Sequence, residues 1–131
     1  MSWVKIRLFT SSWNIWRQHI PLMENYDKEL DATIEIEEIK EPEDLVPRIK
    51  FVNKPHGFSL ADGQSDELIA IVPEEAKEEV IKAWKKIMCE VDPLEITKIL
   101  LDVVYEYDEE PAVKIYYDEY KVEIEINPHA Q

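Results

Sequence analysis

Apolar and polar residues alternate along this chain in short runs, and a run with a two-residue period suits a strand that buries one face. Val4, Ile6 and Leu8 alternate with Lys5 and Arg7. Ile34 and Ile36 alternate with Thr33, Glu35 and Glu37, with Ile39 displaced by a bulge, and Ile49 and Phe51 alternate with Arg48 and Lys50. The same period returns in Val113, Ile115 and Tyr117 and in Val122, Ile124 and Ile126. Leu68-Ile69-Ala70-Ile71-Val72 is apolar throughout, which predicts a central strand buried on both faces and closed by Pro73.

Two helical stripes interrupt the strands. Ser11 and Ser12 offer oxygens to the unpaired N–H groups of a first turn, and Trp13, Trp16, Ile20, Met23, Tyr26 and Leu30 follow at steps of three and four. A helix reaching about Leu30 is predicted, kinked near residue 20 because Pro21 lacks an N–H and collides with the preceding turn. From Glu74 to Val91 a second stripe runs through Ala76, Val80, Ile81, Trp84, Ile87, Met88 and Val91, with acids in its first turn and Lys85 and Lys86 near its end, as the helix dipole favours. Beyond Asp92-Pro93, the alternation of Thr97, Ile99, Leu101, Val103, Tyr105 and Tyr107 with Lys98, Asp102 and Glu106 predicts a long strand. With 113–117 and 122–126 it makes a three-stranded meander. An isolated meander is marginally stable, so the core sheet should cover its apolar face, or the same meander in a second copy should, giving a two-fold dimer.

The 131 residues suit one domain, with a core over 1–91 and the meander over 92–127 as an extension. Cys89 is the sole cysteine, so no intramolecular disulfide forms, and no signal peptide or membrane-length apolar run is present; the expected location is cytoplasmic. A formal net charge of -14 argues against direct nucleic-acid binding, which needs cations to neutralise phosphates, and points to a basic protein as the charged partner. Two glycines among many Glu and Lys residues also suit a heat-stable, thermophilic protein.

The order strand, kinked helix, three strands, helix over residues 2–91 resembles the thioredoxin superfamily. Trp13-Asn14-Ile15-Trp16 stands where that family has Cys-x-x-Cys, Pro21 lies at the spacing of its helix-kinking proline, and Val46-Pro47 is similar to its cis-proline before the third core strand. The resemblance implies a three-layer α/β core with a mixed sheet, here carrying the C-terminal meander; a ferredoxin-like α+β sandwich, with 41–66 as an insertion, is the competing architecture. It also implies a groove in which Trp13, Trp16, Val46 and Pro47, with His56 from the following loop, receive an extended peptide. Disulfide exchange needs an attacking thiolate and a resolving thiol, and neither tryptophan supplies one, so the family's redox chemistry is lost. Core packing accounts equally well for Trp16.

Three functions follow as expectations. The first is a non-catalytic, redox-inactive protein-binding module or adaptor that uses this aromatic groove and needs no cofactor or metal. The second is a hydrolase or metal-dependent enzyme with its site in the irregular loop 53–66, where His56, Ser59 and Asp62 have the residue types of a triad and His56, Asp62, Asp66 and Glu67 those of a cation site. Neither spacing matches a known motif, and a solvated turn is the simpler account. The third is an acidic mimic of DNA that inhibits a nucleic-acid-binding protein. Cys89 lies beside Lys85 and Lys86 on a polar helix face and reads as an inert surface thiol. Tyr105, Tyr107, Tyr116, Tyr117 and Tyr120 cluster on the meander, where cross-strand packing explains them more simply than a ligand or interface. Glu35, Glu37, Glu123 and Glu125 read as solvated strand faces.

Overall fold

The computed structural model describes residues 2–11, 26–27, 29–30, 32–55, 64–88, 90, 92–118 and 121–128. Seven strands are described: β1 (Trp3–Ser11), β2 (Tyr26–Asp27), β3 (Ala32–Ile39), β4 (Arg48–Pro55), β5 (Gln64–Pro73), β6 (Val113–Tyr117) and β7 (Val122–Ile126). They form one sheet in the order β2-β3-β1-β5-β4-β7-β6, and every pairing is antiparallel. Between β5 and β6 come a 3-10 turn at Glu74–Ala76 and two helices, α1 (Lys77–Ile87) and α2 (Pro93–Val104).

Alternation in each strand sends its apolar residues to one side. The register aligns Leu8 with Leu68, Leu68 with Phe51, and Phe51 with Ile124, and all four are buried. Val4, Ile6, Ala70, Val72, Ile49 and Ile126 extend the same layer. Against it pack Val80, Ala83, Trp84 and Ile87 of α1 and Ile96, Leu100, Val103 and Val104 of α2. Each large side chain taken from water into such a layer contributes about 1.5–3 kcal/mol before its entropy cost, so this layer is the main stabilising element. Trp84 is fully buried and its Nε1 donates to the Leu30 carbonyl at 3.1 Å, pinning the β2–β3 turn to α1.

The opposite face of the sheet is a lattice of charges around the half-buried Ile69 and Ile71. Arg7 reaches Glu67 at 2.7 Å and Glu35 at 3.6 Å, and Lys50 reaches Glu123 at 3.3 Å and Glu125 at 3.5 Å. Three of the four acids expected to be merely solvated are thus paired across strands.

This architecture overturns the thioredoxin-like three-layer core with its mixed sheet. A parallel pair needs a crossover connection, whereas β2–β3, β4–β5 and β6–β7 are successive antiparallel neighbours. The run 68–72 is not buried on both faces: Leu68, Ala70 and Val72 are buried while Ile69 and Ile71 are partly exposed. The ferredoxin-like alternative fails too, because β4 and β5 lie inside the sheet and 41–66 is therefore no insertion. No peptide bond is cis among the described residues, so Val46–Pro47 is trans.

The strand expected over 97–107 is α2. Asp92 caps it by accepting from the Leu94 N–H at 3.0 Å, Pro93 occupies the first turn, and Ile96, Leu100, Val103 and Val104 face the core. The C-terminal meander is therefore a two-stranded hairpin after a helix. The first expected helix lies mostly outside the described residues, and its last turn is absent, since Tyr26–Asp27 is strand β2. The loop expected over 53–66 is shorter, because β4 runs to Pro55 and β5 starts at Gln64. No helix among the described residues is long and apolar enough to cross a membrane.

Candidate functional site

The open edge of the sheet at β6 is the place where its chemistry is least complete. Asn127 N–H donates to the Ala112 carbonyl at 2.8 Å and Asp118 N–H to the Lys121 carbonyl at 2.9 Å. Hydrogen-bonded positions alternate in an antiparallel ladder, so Lys114 and Tyr116 also turn their backbone groups toward β7, opposite Glu125 and Glu123. Val113, Ile115 and Tyr117 turn theirs outward, and among the described residues β6 has no strand beyond it.

The side chains are as incomplete as the backbone. All five are exposed, with Val113 at 40%, Ile115 at 36%, Tyr116 at 52% and Tyr117 at 64%. Helix α2 packs beside β7, so the side chains of Val113, Ile115 and Tyr117 overhang the end of the apolar layer. A long edge strand with apolar side chains is a template for another strand.

On the charged face, β6 and β7 border a shallow groove of about 480 Å³ lined by Lys114, Tyr116, Asp118, Lys121, Glu123 and Glu125. Tyr116 donates its hydroxyl to Asp118 Oδ2 at 2.6 Å, and that bond pushes the phenol above its ordinary titration range. Lys121 Nζ sits 2.7 Å from Glu123 and 5.8 Å from the Tyr116 ring centroid. Its hydrogen bond to Glu123 raises the ammonium and lowers the carboxyl, with Lys50 lowering Glu123 further. The groove walls are therefore ordered by their own pairings, while β6 carries no carboxylate in a chain with 29 acids.

A second concavity, of about 220 Å³, opens on the helical side and contains Asn53, Asp66, Met88 and Glu90 over Phe51 and Ile96. Asn53 Nδ2 donates to Asp66 Oδ1. Burial pushes the Asp66 carboxyl up, partly offset by that bond. Asp66 and Glu67 project from opposite faces of β5, and Glu67 is held by Arg7, so the two cannot share one cation as the sequence reading allowed. Among the described residues no group of three or more His, Cys, Asp or Glu could hold a metal ion.

Of the residues expected to form an aromatic groove, Trp13, Trp16 and His56 lie outside the described residues, as do Ser59, Asp62, Cys89 and Tyr120. Val46 and Pro47 are described, and they do a structural job. Pro47 is fully buried and its carbonyl accepts from Asn127 Nδ2 at 2.9 Å; the Val46 carbonyl accepts from Arg48 at 3.3 Å. Tyr116 and Tyr117 do not form one cluster, because they face opposite sides of β6. Tyr105 and Tyr107 follow α2, where burial first and then Glu75, Glu106 and Glu79 push the Tyr107 phenol up.

The sequence reading missed Val113 and Ile115 because it supplied them with a third strand that does not exist. The available signal was the composition of Val-Lys-Ile-Tyr-Tyr, which is acid-free, apolar on one face and carries a tyrosine beside Lys114 on the other. No protein-family model, curated protein or solved structure matches the chain.

Proposed function

We propose that this chain is a non-catalytic, redox-inactive protein-binding module that receives an extended segment of a protein on the open edge of β6. The observation that supports this reading is the outward backbone of Val113, Ile115 and Tyr117 on an edge strand whose five side chains are all exposed in part. An added strand gains main-chain hydrogen bonds from that edge and apolar contact from the overhanging side chains. Tyrosine adds large contact area at low entropic cost. The acidic rows of the charged face are interleaved with Arg7, Lys50 and Lys121, so they do not present the unbroken negative field of a DNA mimic.

Ile115→Pro tests the edge selectively. The Ile115 N–H points away from β7, so proline removes a bond offered to the partner and none from the β6–β7 ladder. A pull-down from the source lysate should lose its specific partner with Ile115→Pro while the variant keeps its thermal transition. The same proteins captured by both chains would refute the edge as the binding element.

A further inference from the structure

We infer that the segment paired with β6 is β6 of a second copy of this chain, joining two sheets across a two-fold axis; this rests on the strand-binding reading above. Each copy carries a net charge of -14, so two copies repel except where acids are sparse. β6 has no carboxylate, and at the opposite edge of the described sheet β2 shows two described residues, Tyr26–Asp27. An isologous contact must also match the strand to itself.

Few registers satisfy that condition. Outward-facing residues must oppose outward-facing residues, so the axis passes through a residue and not between two. An axis through Lys114 opposes two ammonium groups. An axis through Ile115 opposes Lys114 to the partner's Tyr116 and leaves no charge paired. An axis through Tyr116 opposes Lys114 to the partner's Asp118, twice by symmetry, and stacks Tyr116 beside the partner's Tyr116.

That last register is charge-complementary and also sets Ile115 against the partner's Tyr117 on the helical side. Ile115 and Tyr117 then exchange their outward N–H and carbonyl groups with the partner strand. Opposite charges and aromatic pairs directly across an antiparallel pair are the stabilising combinations. The axis through Tyr116 is the register the geometry points to. Each copy has seven described strands, and the product is a continuous sheet with helices of both copies on one face.

Sedimentation of the full chain at high micromolar concentration should give twice the 15.5 kDa mass of one chain. Ile115→Pro should return it to monomer. Tyr116→Cys in a Cys89→Ser background should form a disulfide-linked dimer on mild oxidation, because residues facing one another at a non-hydrogen-bonded position lie within reach of a disulfide. Cys89→Ser alone should form none. A monomeric wild-type chain, or a dimer that Tyr116→Cys does not cross-link, overturns the inference. If the wild type is monomeric and Ile115→Pro still loses a lysate protein, strand binding stands with a different occupant; if capture is also unchanged, both fail.

Discussion

Replacement of Asn127 should uncouple the β6 edge from the rest of the molecule, and its cost can be worked from three side-chain hydrogen bonds and one backbone angle. Asn127 follows β7 with φ 52°, a left-handed conformation that a side chain longer than glycine's adopts at a penalty, asparagine least. Its Oδ1 accepts from the Ala112 N–H at 3.0 Å, just before β6. Its Nδ2 donates to the Pro47 carbonyl at 2.9 Å and to Asp108 Oδ2 at 3.0 Å. The residue is buried, so water replaces these bonds poorly.

Losing two neutral bonds at about 1 kcal/mol each and one to a carboxylate at about 1.5 kcal/mol predicts a cost of about 3.5 kcal/mol for Asn127→Gly, which keeps the backbone relaxed. Asn127→Ala should cost about 1 kcal/mol more, because alanine pays the left-handed penalty that glycine avoids. Asn127→Asp should be worst near neutral pH, since it sets a second carboxylate against Asp108 and the Pro47 carbonyl. Urea unfolding followed by tryptophan fluorescence, with slopes compared to confirm unchanged surface exposure, reads all three. The reasoning is refuted if glycine costs less than about 1 kcal/mol, the least expected of even one lost buried bond, or if alanine is better tolerated than glycine.

Asp66→Asn should stabilise the protein at neutral pH. Burial raises the Asp66 carboxyl above its ordinary value of 3.8, so the stability it contributes is fully present below that value and is lost as pH rises through the raised one. An amide keeps an acceptor for Asn53 and never charges, so melting temperature against pH should flatten between acid and neutral conditions; a variant less stable than wild type at neutral pH would contradict this. Trp84→Phe should cost about 3 kcal/mol in chemical unfolding, because the Leu30 carbonyl loses its donor and apolar contact shrinks. A loss too small to resolve would show that the β2–β3 turn is not held by that bond.

Strands β1, β3, β4, β6 and β7 and helix α1 were legible because each depends on a period that its own residues display. Helix α2 was not, although Asp92-Pro93-Leu94-Glu95 is a start signal, because its apolar residues satisfy a two-residue and a three-to-four-residue period together. Packing of Ile96, Leu100, Val103 and Val104 against the sheet breaks that tie, and it is a contact between elements far apart in the chain. Val46-Pro47 is a connector in which Pro47 is buried and Val46 partly exposed, a difference that a proline before a strand does not display in the sequence.

Local sequence determined that this is a chain of one-faced strands with an amphipathic helix, because period and capping act over a few residues. Whether those strands run parallel or antiparallel, and in what order, depends on pairings such as β1 with β5 and β4 with β7, separated by tens of residues. A one-faced strand reads identically in the centre of a sheet and at its rim. Only the tertiary structure decided that β6 stands last in the order, and that place leaves Val113, Ile115 and Tyr117 with outward backbone groups and exposed side chains.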